Sequence, residues 1–337
     1  MNLQRRINAF IKLGEFMREN PLPDELLQKQ LSKNPFFTPR EVNRAYQNWA
    51  NLLQESTLQK WIAPYQLITS HFKTEILVIA AGNIPLAGFH DFLCVLIAGF
   101  RFTGQLSSRD NLLLPYLASK LIELESEFQN HIGFGAATPS NPAALVASGS
   151  SNTARYHLQN YGHLPAIIRK TRITPAVLDG TESPEELSGL AGDILHYYGL
   201  GCRSVSSILM PSGYDSSKLI KTIRNYTDFE IIPPLQDNLR YQKARLQLLK
   251  IPFIDAGAIL LVDNPFLNSP IATINALYYN SLNELNYWLS DNIDEIQCVV
   301  GHAPTSFKPV LFGSVQQPAL WDYADGVDTL EFLISLS

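Results

Sequence analysis

Apolar residues recur at roughly helical spacing through the opening segment, at Leu3, Ile7, Phe10 and Phe16 and again at Leu26, Leu27 and Leu31. That period predicts amphipathic helices, with no strand among them. Thr38-Pro39-Arg40-Glu41 supplies a capping hydroxyl, a proline at the first helical position and a glutamate at the third, and Val42, Tyr46, Trp49 and Leu53 then fall on one face. Residues 1–70 are therefore expected to form a helical arm. At Glu75 the pattern changes, because Ile76-Leu77-Val78-Ile79-Ala80-Ala81 is an unbroken apolar run of strand length closed by Gly82-Asn83, the pattern of a strand buried on both faces. The apolar stretch from Ile84 to Phe100 is interrupted by Pro85, His90 and Asp91, which predicts a buried helix rather than a bilayer span.

The alternation continues. A short segment at Phe102 to Leu106, a helix from about Arg109 to Phe128, a strand near Ala144 to Ala147 and a helix after Gly149-Ser150-Ser151 are followed by strand-like pieces near Ile167 and at Pro175-Ala176-Val177-Leu178. Ser183-Pro184-Glu185-Glu186 is a capping-box start for the next helix, Gly199 marks its stop, and Cys202 then precedes the strand-like Val205 to Met210. Strands interleaved with helices favour an open parallel sheet, and the fold class is read as α/β.

Composition narrows the function classes. The chain has 337 residues, 46% hydrophobic and 17% charged, and a formal net charge of −5 with no long run of one sign. This is a folded chain of more than one compact unit, without the basic footprint of a nucleic-acid or membrane-surface binder. The N-terminus lacks the apolar core and cleavage site of a signal peptide, so a cytoplasmic location is expected. Three widely spaced cysteines, Cys94, Cys202 and Cys298, support neither a disulfide framework nor a paired-cysteine metal site, and no metal is expected. Cys94 and Cys298 lie in apolar runs and read as inert. Cys202 alone reads first as a small buried hydrophobe. The glycines of Gly199-Leu200-Gly201 and the charge of Arg203 favour a reactive thiol there.

Two further places carry candidate chemistry. Asn83, at the mouth of the first strand, is either a turn residue capping the next helix or an amide donor to an oxyanion, at the strand end where open α/β sheets hold ligands. Gly149-Ser150-Ser151-Asn152-Thr153 opens a helix whose first N–H groups suit a phosphate or nicotinamide. The Gly-x-Gly-x-x-Gly dinucleotide fingerprint is absent.

In this order the motifs resemble those of the aldehyde dehydrogenase superfamily, most closely its acyl-CoA reductase branch, which includes the fatty-acyl reductase of luminous bacteria. Ala81-Gly82-Asn83-Ile84-Pro85-Leu86 is similar to the Asn-x-Pro loop, Ser148-Gly149-Ser150 to the Gly-Ser cofactor turn, and Tyr198-Gly199-Leu200-Gly201-Cys202-Arg203-Ser204-Val205-Ser206 to the nucleophile loop. Leu311-Phe312-Gly313 is the last recognisable piece. The resemblance spans roughly residues 70 to 330 and implies two doubly wound α/β domains behind the helical arm: a cofactor domain over 71–165, a catalytic domain over 166–310, and a segment over 311–337 that returns to the cofactor domain or serves an oligomer contact.

It also implies roles. Cys202 is the nucleophile, Asn83 and the Cys202 backbone N–H hold the oxyanion, and Gly149, Ser150, Ser107 and Gln105 touch the cofactor, expected as NADPH with NADH left open because Gln105 stands where relatives often place a lysine. His163, His196 and Arg203 are the candidates for activating Cys202. Where aldehyde-oxidising members carry a glutamate base, this chain has Ile167-Ile168-Arg169-Lys170, so exchange of the acyl group with coenzyme A is preferred to hydrolysis. The expected reaction is reduction of an acyl-CoA, preferably fatty, to the aldehyde, with a homo-oligomer or an acyl-transferring enzyme as further partners. The alternatives are an aldehyde dehydrogenase for a short or semialdehyde substrate, and a non-catalytic scaffold that binds partner subunits through its arm and the apolar stretch Leu330 to Leu336.

Overall fold

The computed structural model describes residues 1–67, 74–135, 142–264, 269–302 and 307–336. The chain forms two compact units, one from Met1–Thr171 together with Ala319–Ser337 and one from Arg172–Pro318. Residues 68–70, the end of the predicted arm, lie outside the described residues.

The first unit opens with four helices, α1 (Leu3–Glu19), α2 (Asp24–Lys33), α3 (Pro39–Leu52) and α4 (Glu55–Ile62). Thr38 caps α3 by accepting from the Glu41 N–H, as its sequence predicts. Strand β1 (Glu75–Ala80) leads into α5 (Phe89–Ala98), then come β2 (Arg101–Leu106), α6 (Leu113–Leu124), β3 (Ile132–Phe134), β4 (Ala144–Ser148), α7 (Ser151–Tyr161) and β5 (Ala166–Arg169). The five strands form a parallel sheet in the order β3-β2-β1-β4-β5. Buried Phe10 of α1 meets Phe92 of α5 and Phe128 edge-on, and Phe92 meets Phe102 of β2 at 4.9 Å between ring centroids. The amphipathic period of α1 therefore inserts one aromatic column against the helix that covers the sheet.

The second unit holds β6 (Thr174–Val177), α8 (Pro184–Leu195), β7 (Val205–Pro211), α9 (Ser217–Arg224), α10 (Pro233–Leu248), β8 (Phe253–Asp255), β9 (Leu260–Asp263), β10 (Thr273–Tyr279), α11 (Leu282–Asp291) and β11 (Val300–Gly301). Its sheet runs β11-β6-β7-β10-β9-β8, parallel except for the β8–β9 pair. One face packs on Leu187, Leu190 and Ile194 of α8 and Leu219 and Ile223 of α9, the other on Leu285 and Leu289 of α11. Helix α12 (Thr329–Ile334) belongs to the first unit, where Leu330 and Leu333 are wholly buried. The apolar C-terminal stretch offered above as a partner surface thus spends its leucines inside its own unit.

Candidate active site

In the first unit the order β2-β1-β4 sets three predicted loops side by side along the carboxyl edge of the sheet: Gly82-Asn83 after β1, Ser107 after β2, and Gly149-Ser150 after β4, with Gln105 inside β2 opposite Ile79. Open α/β sheets bind ligands at this edge because the loops there diverge around a strand-order switch. The loops are held closely. A Cβ built on Gly82 would lie 2.5 Å from Ser107 Cβ and Oγ, so only glycine lets the first loop rest on the second. The α2 arm braces both, through Gln30 Nε2 donating to the Arg109 carbonyl at 2.6 Å and Asn34 Nδ2 donating to the Gly82 carbonyl at 3.4 Å. Asn83 itself is exposed.

Leu86 takes a left-handed conformation, φ 60, which costs a branched residue energy unless the surroundings hold it. Its N–H donates to Asp110 Oδ2 at 2.8 Å. Asp110 is buried, and that burial pushes its carboxyl up to about 7 against the opposing pull of the Leu86 N–H. A folded-state value above the unfolded one means that the folded protein keeps a proton that the unfolded chain releases near pH 4. The stabilisation is full below that pH and is lost as pH rises through 7. Asp110→Asn keeps an oxygen acceptor for Leu86 without a charge. Its stability is expected to fall less than wild type between pH 5 and 8, by up to about 3 kcal/mol, in urea unfolding at the two pH values. Parallel pH profiles would show that Asp110 is not the titrating group.

At the end of β5, Arg169 occupies the place where the resemblance leads one to look for a glutamate. Its Nη1 donates to Asp91 Oδ2 of α5 at 2.7 Å and its Nη2 to Thr329 Oγ1 of α12 at 2.7 Å, and its carbonyl accepts from the Gly149 N–H at 3.3 Å. Both charged side chains are buried. Burial works to discharge the guanidinium, and the Asp91 carboxylate outweighs it, holding the group above its usual value. Asp91 and Thr329 were not read as site residues in the sequence. The available signal was a carboxylate in an otherwise apolar helix run, which is tolerated when buried only with a partner.

In the second unit, α8 starts in the predicted capping box, Ser183 with Glu186. Its end differs from expectation. The helix stops at Leu195, and a tight turn over His196–Gly199 follows in which Tyr197 (φ 53), Tyr198 (φ 57) and Gly199 (φ 70) are all left-handed. Both tyrosines are buried, so side-chain packing holds a backbone shape that local pattern would assign to glycine alone. Half-buried Cys202 follows this turn, its carbonyl accepting from Thr174 Oγ1 at 2.8 Å. The Gly201 N–H donates to Ser204 Oγ at 3.3 Å, and Gln316 Nε2 donates to the same oxygen at 3.0 Å. Buried Asp193 accepts from the Gly313 N–H at 2.7 Å, anchoring Leu311-Phe312-Gly313 to α8. Thr174 and Gln316 had no sequence signal, because each acts across more than a hundred residues or through one hydroxyl.

Beside the turn, Ile194, Tyr198, Gly199, Val205, Phe229 and Ile274 help line a small, narrow cleft. His196 Nε2 is engaged with Tyr226 OH at 2.9 Å and lies 3.6 Å from Asp228 Oδ2, while His163 belongs to the first unit and is exposed. Among the described residues no cluster of three or more His, Cys, Asp or Glu side chains could hold a metal ion, and no helix is long and apolar enough to cross a membrane.

No protein-family model and no curated protein sequence matches the chain. Solved structures do match it. An indole-3-acetaldehyde dehydrogenase complexed with NAD+ is 11% identical, with 91% of this chain and 73% of that one covered and a TM-score of 0.69. A NAD-dependent benzaldehyde dehydrogenase from Corynebacterium glutamicum is 12% identical, with 85% and 74% covered and a TM-score of 0.65. Proline utilization A is 14% identical, with 90% of this chain and 36% of that one covered and a TM-score of 0.67. Likeness at such identities establishes architecture, and the chain has the aldehyde dehydrogenase fold that its motif order led us to expect.

Proposed function

We propose that the protein reduces an acyl-CoA thioester to the aldehyde, with Cys202 as the residue that carries the acyl group. The observation that favours thioester chemistry over aldehyde oxidation to a free acid is Arg169. A guanidinium neutralised by Asp91 cannot take a proton from water. Without an activated water, the acyl-enzyme waits for a thiol or a hydride rather than being hydrolysed.

The carboxyl edge of the first sheet fits a nicotinamide dinucleotide. A Cβ on Gly149 would sit 2.9 Å from Thr153 Cβ, so the turn is kept bare, and Ser150 caps α7 through the Thr153 N–H, leaving earlier N–H groups of that helix for an anion. Gly149, Ser150, Gln105 and Ser107 would hold the cofactor, which when bound supplies the hydride. NADPH is preferred because the end of β2 offers Ser107, Ser108 and exposed Arg109, while its one carboxylate, Asp110, is buried against Leu86. A ribose 2′-hydroxyl lacks its usual acid there, and a 2′-phosphate gains a cation.

Cys202 attacks the thioester carbonyl as thiolate, forming its own thioester as coenzyme A departs. Asn83 and the Cys202 N–H are the donors proposed for the oxyanion. After reduction, collapse of the thiohemiacetal on Cys202 releases aldehyde and restores the thiolate. The test is loss of absorbance at 340 nm with NADPH or NADH and acyl-CoAs of graded length. Acyl-CoA-dependent oxidation, faster with longer chains and with NADPH, is expected. Oxidation of short aldehydes or semialdehydes by NAD(P)+ with no acyl-CoA turnover would replace this reading with that of an aldehyde dehydrogenase, and inactivity in both directions would favour a scaffold.

A further inference from the structure

Cys298, inert by its sequence setting, has a reactive setting in the fold. It lies just ahead of β11, on one side of Thr174, the first residue of β6. The nucleophile turn approaches the same threonine from the other side. Thr174 Oγ1 donates to the Cys202 carbonyl at 2.8 Å and lies 3.5 Å from Cys298 Sγ. Arg203, next to Cys202 in the chain, places Nη1 4.0 Å from the same sulfur. A guanidinium beside a partly buried thiol favours its thiolate. By contrast Cys94 is fully buried, and burial pushes its thiol well up.

We propose that Cys298 is a resolving thiol for Cys202, so that oxidation of the nucleophile ends in a Cys202–Cys298 disulfide. The inference rests on the reading of Cys202 as a reactive thiol. The oxidant is a peroxide. The Cys202 thiolate attacks one peroxide oxygen, the O–O bond breaks, and sulfenic acid forms as hydroxide leaves. The Cys298 thiolate then attacks the sulfenic sulfur. An S–S bond forms, the S–O bond breaks, and the departing hydroxide takes a proton to become water. Two thiols lose two electrons in all, and one peroxide becomes two waters.

Strand geometry shows why the pair is feasible. β11 and β7 flank β6 in the sheet, so residues within them stand about 9.6 Å apart, two strand spacings of about 4.8 Å, beyond the roughly 7 Å Cα limit for a disulfide. Cys202 is not within β7. It sits in the preceding turn, drawn toward β6 by Thr174. Gly201, beyond the turn held by Tyr197 and Tyr198 and directly before Cys202, is where the chain has the freedom to close the remaining distance.

The test treats the full chain with two equivalents of hydrogen peroxide, enough to carry one thiol to sulfinic acid, and reads intact mass and disulfide-linked peptides, neither of which requires turnover. Wild type is expected to lose about 2 Da, to yield a peptide pair joining Cys202 and Cys298, and to regain thiol titre and any acyl-CoA reduction in dithiothreitol. Cys298→Ser, with unchanged basal rate and melting temperature, is expected to gain about 32 Da at Cys202 as sulfinic acid and to recover less than about a tenth of its activity. A linked peptide in a protein that turns over no acyl-CoA would uphold the disulfide and sink only the reductase reading. Sulfinic acid at Cys202 in wild type with Cys298 still reduced, or equal recovery in Cys298→Ser, would overturn the proposal.

Discussion

Cys202→Ala is expected to lower acyl-CoA-dependent NADPH oxidation by at least about 10³-fold, the scale on which loss of a covalent nucleophile acts. Folding should survive. The turn is held by the Cys202 carbonyl through Thr174 and by Ser204 through Gly201 and Gln316, and alanine keeps the carbonyl and does not touch the rest. The half-buried side chain is one sulfur larger than alanine, so the melting temperature should hardly move. Two measurements separate chemistry from stability: the rate at 340 nm, and the mass of the protein after brief incubation with acyl-CoA alone. Wild type should carry one acyl group and the variant none. A variant that kept more than about a tenth of the rate would mean that hydride reaches the substrate without an acyl-enzyme.

The largest effect on stability is expected at Arg169. Its pair with Asp91 is buried on both sides, so removing the guanidinium strands a carboxylate where water cannot reach it. Arg169→Ala should cost about 3–5 kcal/mol in urea unfolding. The double change Arg169→Met with Asp91→Leu removes both charges and should recover most of that loss, because a buried pair stabilises little beyond an apolar pair of similar shape. Were the single variant within about 1 kcal/mol of wild type, the pair would be solvated rather than buried.

Much of the architecture was legible because it is written in local periodicity. The run at Ile76 to Ala80 is a strand because it is buried on both faces, and Thr38 and Ser183 start helices because their hydroxyls reach N–H groups three residues on. What local pattern does not carry is pairing between distant residues. Asp91 and Arg169 are separated by 78 positions, and neither has a neighbour in sequence that announces the other. The left-handed Tyr197 and Tyr198 contradict their own conformational preference, so only the packing around them explains the turn that leads to Cys202. For the same reason Cys298, read as inert among apolar residues, meets Arg203 and Thr174. Its place in an apolar cluster was legible in the sequence, and its approach to Arg203 and Thr174 across the fold was not.

The first unit is made of two stretches of chain, 1–171 and 319–337, with the whole of the second unit between them. Synthesis runs from the N-terminus, so residues 172–318 emerge from the ribosome before Leu330 and Leu333 do, and these cannot yet fill their places in the core. Until then Asp91 and Arg169 wait without Thr329, and Trp61 waits without the Tyr323 hydroxyl that receives its indole N–H at 2.7 Å. The unit begun first is finished last, and an arrested nascent chain should show a protease-resistant second unit while the first remains open to cleavage.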